Sequence, residues 1–185
     1  MQRIAIVGPA GVGKSTLARR LERLLDIPAY HLDELYWRPG GVPTPDDEWD
    51  ALLGKLVRGE SWIIDGGFTK SMAMRFKAAD TLIYLDLPRL ISFASIIRRR
   101  FLHAVNRPAP GTSRGSRPMF NVQLFRWVWT FPEDHRPVIM RLLSEHADGR
   151  TVLHLQSRAQ VRRLLRTLAE REALGSLSLS DPDRS

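Results

Sequence analysis

The chain contains no cysteine. This absence excludes disulfide bonds and zinc sites that are built on cysteine ligands. No apolar run is long enough to cross a bilayer, and the glycine-rich motif at residues 8–15 comes too early to leave room for a secretory signal. We therefore expect a cytoplasmic protein with no membrane partner. At 185 residues and 43% hydrophobic content, the chain predicts one domain over residues 1–174 and a flexible tail over residues 175–185.

Carboxylates are also missing from one long segment of the chain. Residues 1–90 hold 12 basic and 12 acidic side chains, whereas residues 91–185 hold 16 basic and 8 acidic ones. Residues 91–132 contain no Asp or Glu at all, and a segment of this kind is expected to bind anions. Its arginines are Arg98, Arg99, Arg100, Arg107, Arg114, Arg117 and Arg126.

The most specific motif lies near the amino terminus, where residues 8–15 read GPAGVGKS. This is the G-x-x-x-x-G-K-S pattern of a phosphate-binding loop, and it lies between the apolar run RIAIV and leucines at helical spacing. In such a loop the backbone amides surround phosphate, the lysine reaches the outer phosphates and the serine hydroxyl ligates Mg²⁺. The predicted nucleotide-binding residues are Gly8, Pro9, Ala10, Gly11, Val12, Gly13, Lys14, Ser15 and Thr16.

Apolar runs and helical patterns alternate along the rest of the chain. Strands are predicted at 3–7, 28–31, 61–65, 81–86 and 151–155, and helices at 14–26, 46–58, 70–78, 89–104, 121–130, 135–147 and 158–171. Alternation of this kind predicts an α/β fold, a parallel sheet with helices on both faces, which binds ligands at the carboxyl ends of its strands. Two helix starts carry their own signals, an N-cap at Thr44 and a capping box from Ser157 to Gln160.

Two carboxylates stand at predicted strand ends. Asp65 ends the apolar run WII, in the place where a carboxylate holds Mg²⁺ through water, although such an acid is also common as a helix cap. Asp33 follows the second strand and is predicted to orient or deprotonate an acceptor hydroxyl, or to help ligate Mg²⁺; its structural alternative is an N-cap.

Four further side chains near these strand ends are candidates for binding an acceptor. Tyr36 and Trp37 are predicted to stack on a planar acceptor, with core packing as the alternative. Lys70 and Arg75 are predicted to bind an anionic group on it, with a solvated basic face as the alternative. His31 is predicted to pack or to form a local hydrogen bond, and His154 is given no role.

A closing segment is predicted at about residues 100–135. Residues 106–118 contain three prolines, two glycines and three arginines without apolar periodicity, which is typical of a mobile loop or lid. Lid closure would exclude water and deliver arginines that neutralise transition-state charge. Arg136 follows this segment and is predicted to be catalytic.

Six segments in this order resemble the adenylate-kinase-like P-loop kinases, and more closely the bacterial DNA topology modulation proteins of the FlaR type. The similar segments are GPAGVGKSTLARRL, HLDELYW, WIIDGGF, LIYLDLPR, FRWVWTFPEDHRP and HLQSRAQVRRLL, which together span about residues 2–168. The resemblance implies a three-layer α/β/α P-loop NTPase fold, a five-stranded parallel sheet of order 2-3-1-4-5, and an arginine-rich lid insertion.

The resemblance also assigns roles to single positions. Arg99 matches a lid-edge arginine that contacts adenine or phosphate, and the loop that carries Ser157 and Arg158 matches one that closes over the base. Two positions depart from nucleoside-monophosphate kinases: Thr69 and Lys70 stand where an arginine is expected after DGGF, and Ser95 replaces a lid-flanking arginine. Asp33 resembles instead the carboxylate of small-molecule kinases that phosphorylate a hydroxyl.

Together these observations predict a kinase that uses ATP and Mg²⁺ to phosphorylate a small acceptor, either a nucleotide or a hydroxyl-bearing metabolite. The alternative is a nucleotide-dependent nucleic-acid-binding protein that uses the arginine-rich half with Phe101, Phe120, Trp127 and Trp129 for stacking. A regulator driven by slow ATP hydrolysis is a third possibility. The sequence leaves the acceptor and the oligomeric state open.

Overall fold

The computed structural model describes residues 1–104 and 122–179, with the backbone alone at residues 99–100, 102–104, 122–125 and 175–179. Five strands form one parallel sheet in the order β2-β5-β1-β6-β7. The predicted fold class and strand order are confirmed, because these strands correspond in chain order to 2-3-1-4-5. The sheet strands are β1 (Arg3–Val7), β2 (Ala29–His31), β5 (Trp62–Asp65), β6 (Thr81–Leu85) and β7 (Thr151–Leu155).

Helices cover both faces of this sheet. They are α1 (Lys14–Leu25), α2 (Leu32–Tyr36), α3 (Asp46–Val57), α4 (Met72–Ala78), α5 (Arg89–Ala104), α6 (Val122–Asp134), α7 (Arg136–Glu145) and α8 (Arg158–Leu179). A 3-10 turn at Thr69–Ser71 precedes α4. Helix α8 continues through residues 175–179, which the sequence assigned to a flexible tail, and residues 180–185 lie outside the described part.

Successive strand side chains alternate between two apolar clusters, one on each face of the sheet. In β1, Ala5 and Val7 join the cluster that also contains residues of α3, α4, α6 and α7, whereas Ile4 and Ile6 join the cluster against α1 and α8. All four are at most 1% exposed. Burial on both faces explains why the strands read as continuous apolar runs rather than as an alternating pattern.

Three short elements between β2 and α3 were not predicted. They are the five-residue helix α2 and the antiparallel pair β3 (Trp37–Arg38) and β4 (Val42–Pro43). Gly40 and Gly41, with φ of 85° and 77°, make the turn that joins these strands. Such elements are too short to show a helical or strand period, so periodicity did not reveal them.

The two helix-start predictions have different outcomes. The capping box is confirmed: the Gln160 amide donates to Ser157 Oγ at 3.2 Å, and Gln160 Oε1 accepts from the Ser157 amide at 3.1 Å. The N-cap prediction for Thr44 is wrong, since Pro45 holds the N-cap position of α3. The Thr44 hydroxyl donates instead to the Tyr36 carbonyl at 2.8 Å, which ties the end of α2 to the start of α3.

Candidate active site

The glycine-rich loop joins β1 to α1 at the carboxyl edge of the sheet. Gly11 has φ of 76° and Gly13, the N-cap of α1, has φ of 105°, in the left-handed region that favours glycine. At Gly8 a Cβ atom would lie 2.4 Å from the Leu85 carbonyl oxygen, so only glycine lets the loop start this close to β6. The backbone therefore has the form that a phosphate cradle requires.

Lys14 and Ser15 begin α1 and both face the inside of the site. Lys14 is 8% exposed, and its Nζ donates to the Pro9 carbonyl at 3.0 Å, across the loop. The Ser15 hydroxyl donates to Asp65 Oδ2 at 2.7 Å. This bond joins the phosphate-binding loop to the end of β5, the two places where the sequence predicted the Mg²⁺ ligands.

Asp65 is 3% exposed and shares its other oxygen with His31. The two residues face each other because β2 pairs with β5 in parallel, with His31 opposite Asp65 in the register. The hydrogen bond to Asp65 raises the pKa of His31, although burial acts in the opposite direction. The prediction of a local bond for His31 missed this partner 34 positions away.

These oxygen atoms fit a magnesium site. Mg²⁺ prefers oxygen ligands, keeps several waters, and is held through one or two protein groups together with substrate phosphates. The Ser15 hydroxyl and the Asp65 carboxylate provide such groups beside the loop. Within residues 1–104 and 122–179, no three His, Asp or Glu side chains lie close enough together to hold a metal ion by themselves. A Mg²⁺ site that also uses phosphate oxygens does not require three such side chains.

Arg75, predicted to bind the acceptor, is fully buried beneath the chain that follows β5. Its guanidinium donates to three backbone carbonyls, those of Gly66 at 3.2 Å, Phe68 at 3.1 Å and, through Nε, Ser71 at 3.4 Å. Desolvation lowers the pKa of Arg75 to about 10, opposed by the attraction of Asp65 and Asp33. The alternative of a solvated face is thus wrong for Arg75, which holds residues 66–71 in place.

Asp33, Tyr36 and Trp37 lie on or beside α2, next to this edge. Asp33 is exposed in the first turn of α2, and its charge, like that of Asp65, attracts the buried Arg75 guanidinium and raises the pKa of Arg75. Tyr36 contacts three aromatic rings, Trp37, Trp49 and Phe68, at centroid distances of 4.9–5.1 Å. Trp37 is 44% exposed, so it has surface left for stacking, whereas Tyr36 belongs largely to the core.

Lys70 lies in the 3-10 turn and points into solvent. Its side chain is 95% exposed, and Nζ lies 3.8 Å from Asp46 Oδ2 in an open ion pair. Lys70 thus lies within the segment that Arg75 holds in place, but an ion pair this exposed does not fix the position of its ammonium group. Its predicted role in binding an acceptor stays a prediction.

A second polar cluster, which sequence reasoning missed, lies at the ends of β6 and β7. Asp86 Oδ2 accepts from Arg136 Nε at 2.9 Å and pairs with His154 Nε2 at 2.8 Å, and the Tyr84 hydroxyl donates to Oδ1 at 3.3 Å. Burial raises the pKa of Asp86, but the bonds from Arg136 and His154 outweigh it, and the pKa falls below its ordinary value. The sequence signal that could have revealed this cluster is that Asp86 and His154 lie at the ends of two strands that pair with each other.

Several predicted residues lie at the limits of what the structure describes. The backbone of Arg99 belongs to α5, but its side chain lies outside the described part, as do Phe120 and the predicted lid loop 106–118.

The structure does describe other predicted residues. Trp129 is 59% exposed, with the Arg89 guanidinium 5.0 Å from its ring centre. Ser157 serves the capping box, and Arg158 is exposed at the start of α8. No described helix has the length and apolar character to cross a membrane.

No protein-family model matches the sequence, and no curated protein matches it either. The resemblance to FlaR-type proteins therefore stays a prediction. Solved structures do match. A shikimate kinase from Acinetobacter baumannii in complex with shikimate has a TM-score of 0.60 at 18% identity, covering 100% of this chain and 96% of that one.

Two further structures agree with this match. A shikimate kinase from Bacteroides thetaiotaomicron has a TM-score of 0.54 at 17% identity, covering 92% of this chain and 97% of that one. A sugar kinase from Janibacter sp. has a TM-score of 0.50 at 16% identity, covering 97% of this chain and 96% of that one. At such identities the likeness concerns the fold. The chain has the P-loop fold that shikimate kinases have.

Proposed function

We propose that this protein is an ATP- and Mg²⁺-dependent kinase that phosphorylates a small acceptor. The observation that carries the proposal is the 2.7 Å hydrogen bond from Ser15 to Asp65, which brings the two predicted Mg²⁺ ligands together beside a positive-φ glycine loop. Phosphoryl transfer depends mainly on positioning and on charge neutralisation, and this edge of the sheet supplies groups for both.

Different groups of the phosphate-binding loop and its neighbours bind different parts of Mg²⁺·ATP. The amides of the loop hold the phosphates, together with the amino end of α1, and Lys14 exchanges its bond to the Pro9 carbonyl for phosphate oxygens. Ser15 and Asp65 would hold Mg²⁺, the carboxylate through water, while His31 keeps the carboxylate oriented. Bound Mg²⁺ would neutralise charge on the β- and γ-phosphates.

Asp33 is the proposed base toward the acceptor. It would orient an acceptor hydroxyl and take its proton as the oxygen forms a bond to the γ-phosphorus and the bond to the β–γ bridging oxygen breaks, leaving ADP. Asp33 is exposed at the same edge as Asp65 and Arg75, and Trp37 offers a partly exposed ring beside it. The names of the solved neighbours, shikimate and sugar kinases, favour a hydroxyl over a nucleotide acceptor.

Arginines from the second half of the chain, which has an excess of basic residues, would complete the site. Arg99 is proposed to contact adenine or phosphate, and Arg136 to leave Asp86 and neutralise charge on the transferred group. The loop that carries Ser157 and Arg158 would close over the base. Arg136 is 42% exposed and begins α7, so a small movement of this helix start would free its guanidinium.

An acceptor screen with purified protein tests the proposal. With Mg²⁺·ATP and panels of hydroxyl-bearing metabolites and nucleoside monophosphates, we expect acceptor-dependent ADP release. Lys14→Ala should lower kcat/KM by about 10²–10³-fold, because it removes a cation from the transferred phosphate. Lys55→Ala, at an exposed position of α3, is the matched control and should change little. Phosphoryl transfer that survives in the Lys14 variant contradicts the mechanism.

The second candidate, a nucleotide-dependent nucleic-acid-binding protein, is favoured by the seven arginines of residues 91–132 and by two exposed rings. Phe101 is 69% and Trp129 is 59% exposed. Binding of duplex and single-stranded oligonucleotides, measured across salt concentrations, tests this candidate. An affinity that vanishes near physiological ionic strength removes it.

A further inference from the structure

A basic groove lies between α1 and α8, along the outer side of the helix layer that covers one face of the sheet. It has a volume of about 520 Å³, within the range of small-ligand sites. Ala159 and Leu165 contribute its apolar lining, and four arginines contribute the rest: Arg20, Arg162, Arg163 and Arg166. The helices meet beneath it through Leu17 and Leu21 of α1 and the apolar face of α8.

The spacing along α8 brings the arginines to one stripe. Arg163 and Arg162 precede Arg166 by three and four positions, and residues so spaced are neighbours on a helix surface. Arg20 approaches from α1, where it lies six residues, or about 9 Å along the axis, beyond Lys14. The groove is therefore displaced from the phosphate loop, although Ala159 brings one end of it near the start of α8.

The charges in this groove lack neutralising partners. Among the described residues, no carboxylate or carbonyl pairs with the guanidinium of any of the four arginines. Elsewhere Arg19, Arg38, Arg89, Arg136 and Arg141 each pair with a carboxylate. Glu22, two positions after Arg20, accepts from the Ala29 amide at 2.9 Å instead. Like charges at this helical spacing repel, and an anion placed among them would relieve that repulsion.

We propose that this groove binds a compact ligand with two or more adjacent phosphate groups, at a site separate from the ATP site. Four guanidinium groups provide forked donors that match phosphate oxygens, and the concave shape suits a compact anion. Among the described residues, the groove lining contains no aromatic ring, and aromatic rings are the groups on which the bases of a single strand stack. The ligand is thus recognised through its phosphates.

Calorimetric titration of the full chain with inorganic tripolyphosphate tests the proposal. All titrations use a Lys14→Ala background, which weakens the contribution of the phosphate loop. The groove variant R162Q/R163Q/R166Q should weaken binding at least about tenfold, because each lost charge-assisted bond alone accounts for that much. The control K55Q/R58Q/K77Q removes the same charge from α3 and α4, on the opposite face of the sheet, and should bind as the Lys14 variant does.

Three results would overturn the proposal. One is equal loss of affinity in the groove and control variants, which would mean binding to net charge alone. Another is undiminished affinity in the groove variant when thermal unfolding shows that this variant is folded. Because its substitutions remove repulsion from an exposed face, we expect a melting temperature no lower than that of the control. The third is tighter binding of a DNA duplex than of tripolyphosphate through these arginines, which would identify the groove as a nucleic-acid surface.

Discussion

Asp65 and Asp86 stand at the ends of two strands that flank β1, and each pairs with one histidine and one further donor. Asp65 is 3% exposed and receives a neutral hydroxyl from Ser15. Asp86 is 19% exposed and receives the guanidinium of Arg136. The difference in the second donor separates their chemistry. The Arg136 guanidinium is always charged and neutralises Asp86, whereas the neutral Ser15 hydroxyl leaves one oxygen of Asp65 able to face a metal cation.

The two carboxylates also connect different parts of the chain. Asp65 joins the phosphate-binding loop to β2 and β5, two neighbouring strands of the sheet. Asp86 joins β6 and β7 to the first residue of α7, the helix that follows the predicted lid. We infer that the first cluster serves the chemistry directly, whereas the second ties the start of α7 to the ends of β6 and β7.

Paired substitutions give the largest expected difference. Asp65→Asn should raise the Mg²⁺ concentration needed for half-maximal activity by about 10- to 100-fold, as expected when a group that orients a metal ligand is lost. Asp86→Asn is its matched control and should leave that concentration unchanged. Titration of acceptor-dependent ADP release with MgCl₂ measures both. A Mg²⁺ shift in the Asp86 variant, or none in the Asp65 variant, would remove the distinction.

The pH dependence of stability should have opposite signs at the two clusters. His31 has a raised pKa in the folded state, so its contribution is complete below the ordinary value of 6.5 and is lost as pH rises through the folded value. Asp86 has a lowered pKa, so its contribution is complete above 3.8 and is lost as pH falls through the folded value. The stability contributed by His31 is therefore lost as pH rises, and that contributed by Asp86 is lost as pH falls.

Urea unfolding in EDTA, with wild type compared with His31→Asn and Asp86→Asn at each pH, measures these contributions. The His31 difference should shrink toward high pH, and the Asp86 difference should shrink only in acid. Chelation removes Mg²⁺, which would otherwise compete for Asp65. A His31 difference that grows as pH rises would show that its bond to Asp65 does not favour the protonated ring.

Sequence reasoning found the groups of the first cluster more readily than those of the second. Ser15 and Asp65 sit in motifs, since glycine spacing and an apolar run ending in Asp are visible locally. The pairings of His31 with Asp65 and of His154 with Asp86 span 34 and 68 positions. Both could have been found by asking which polar residues end adjacent parallel strands, once the strand order was known.

Arg75 shows a different limit of sequence reasoning. A basic residue after a strand-end Asp suggests anion binding, and nothing in the local pattern indicates that its guanidinium turns inward to carbonyl groups. The direction of the Arg75 side chain depends on the path of residues 66–71. In this segment Gly66 packs so closely against Leu32 that a Cβ atom at Gly66 would lie 2.7 Å from the Leu32 Cβ. The fold followed from periodicity, whereas this placement depends on tertiary packing.

Arg136 gives the smallest expected effect and tests whether its cluster is purely structural. Arg136→Gln should lower the free energy of unfolding by about 0.5–1 kcal/mol, because the pair with Asp86 is half exposed and screened by solvent. Arg141→Gln, which breaks the exposed pair with Glu145, is the matched control and should cost less. Urea unfolding gives both values. If Arg136 also neutralises the transferred phosphate, its variant should lose far more kcat than this small loss of stability can cause. The Arg141 variant should keep full activity, so the two roles separate in one pair of measurements.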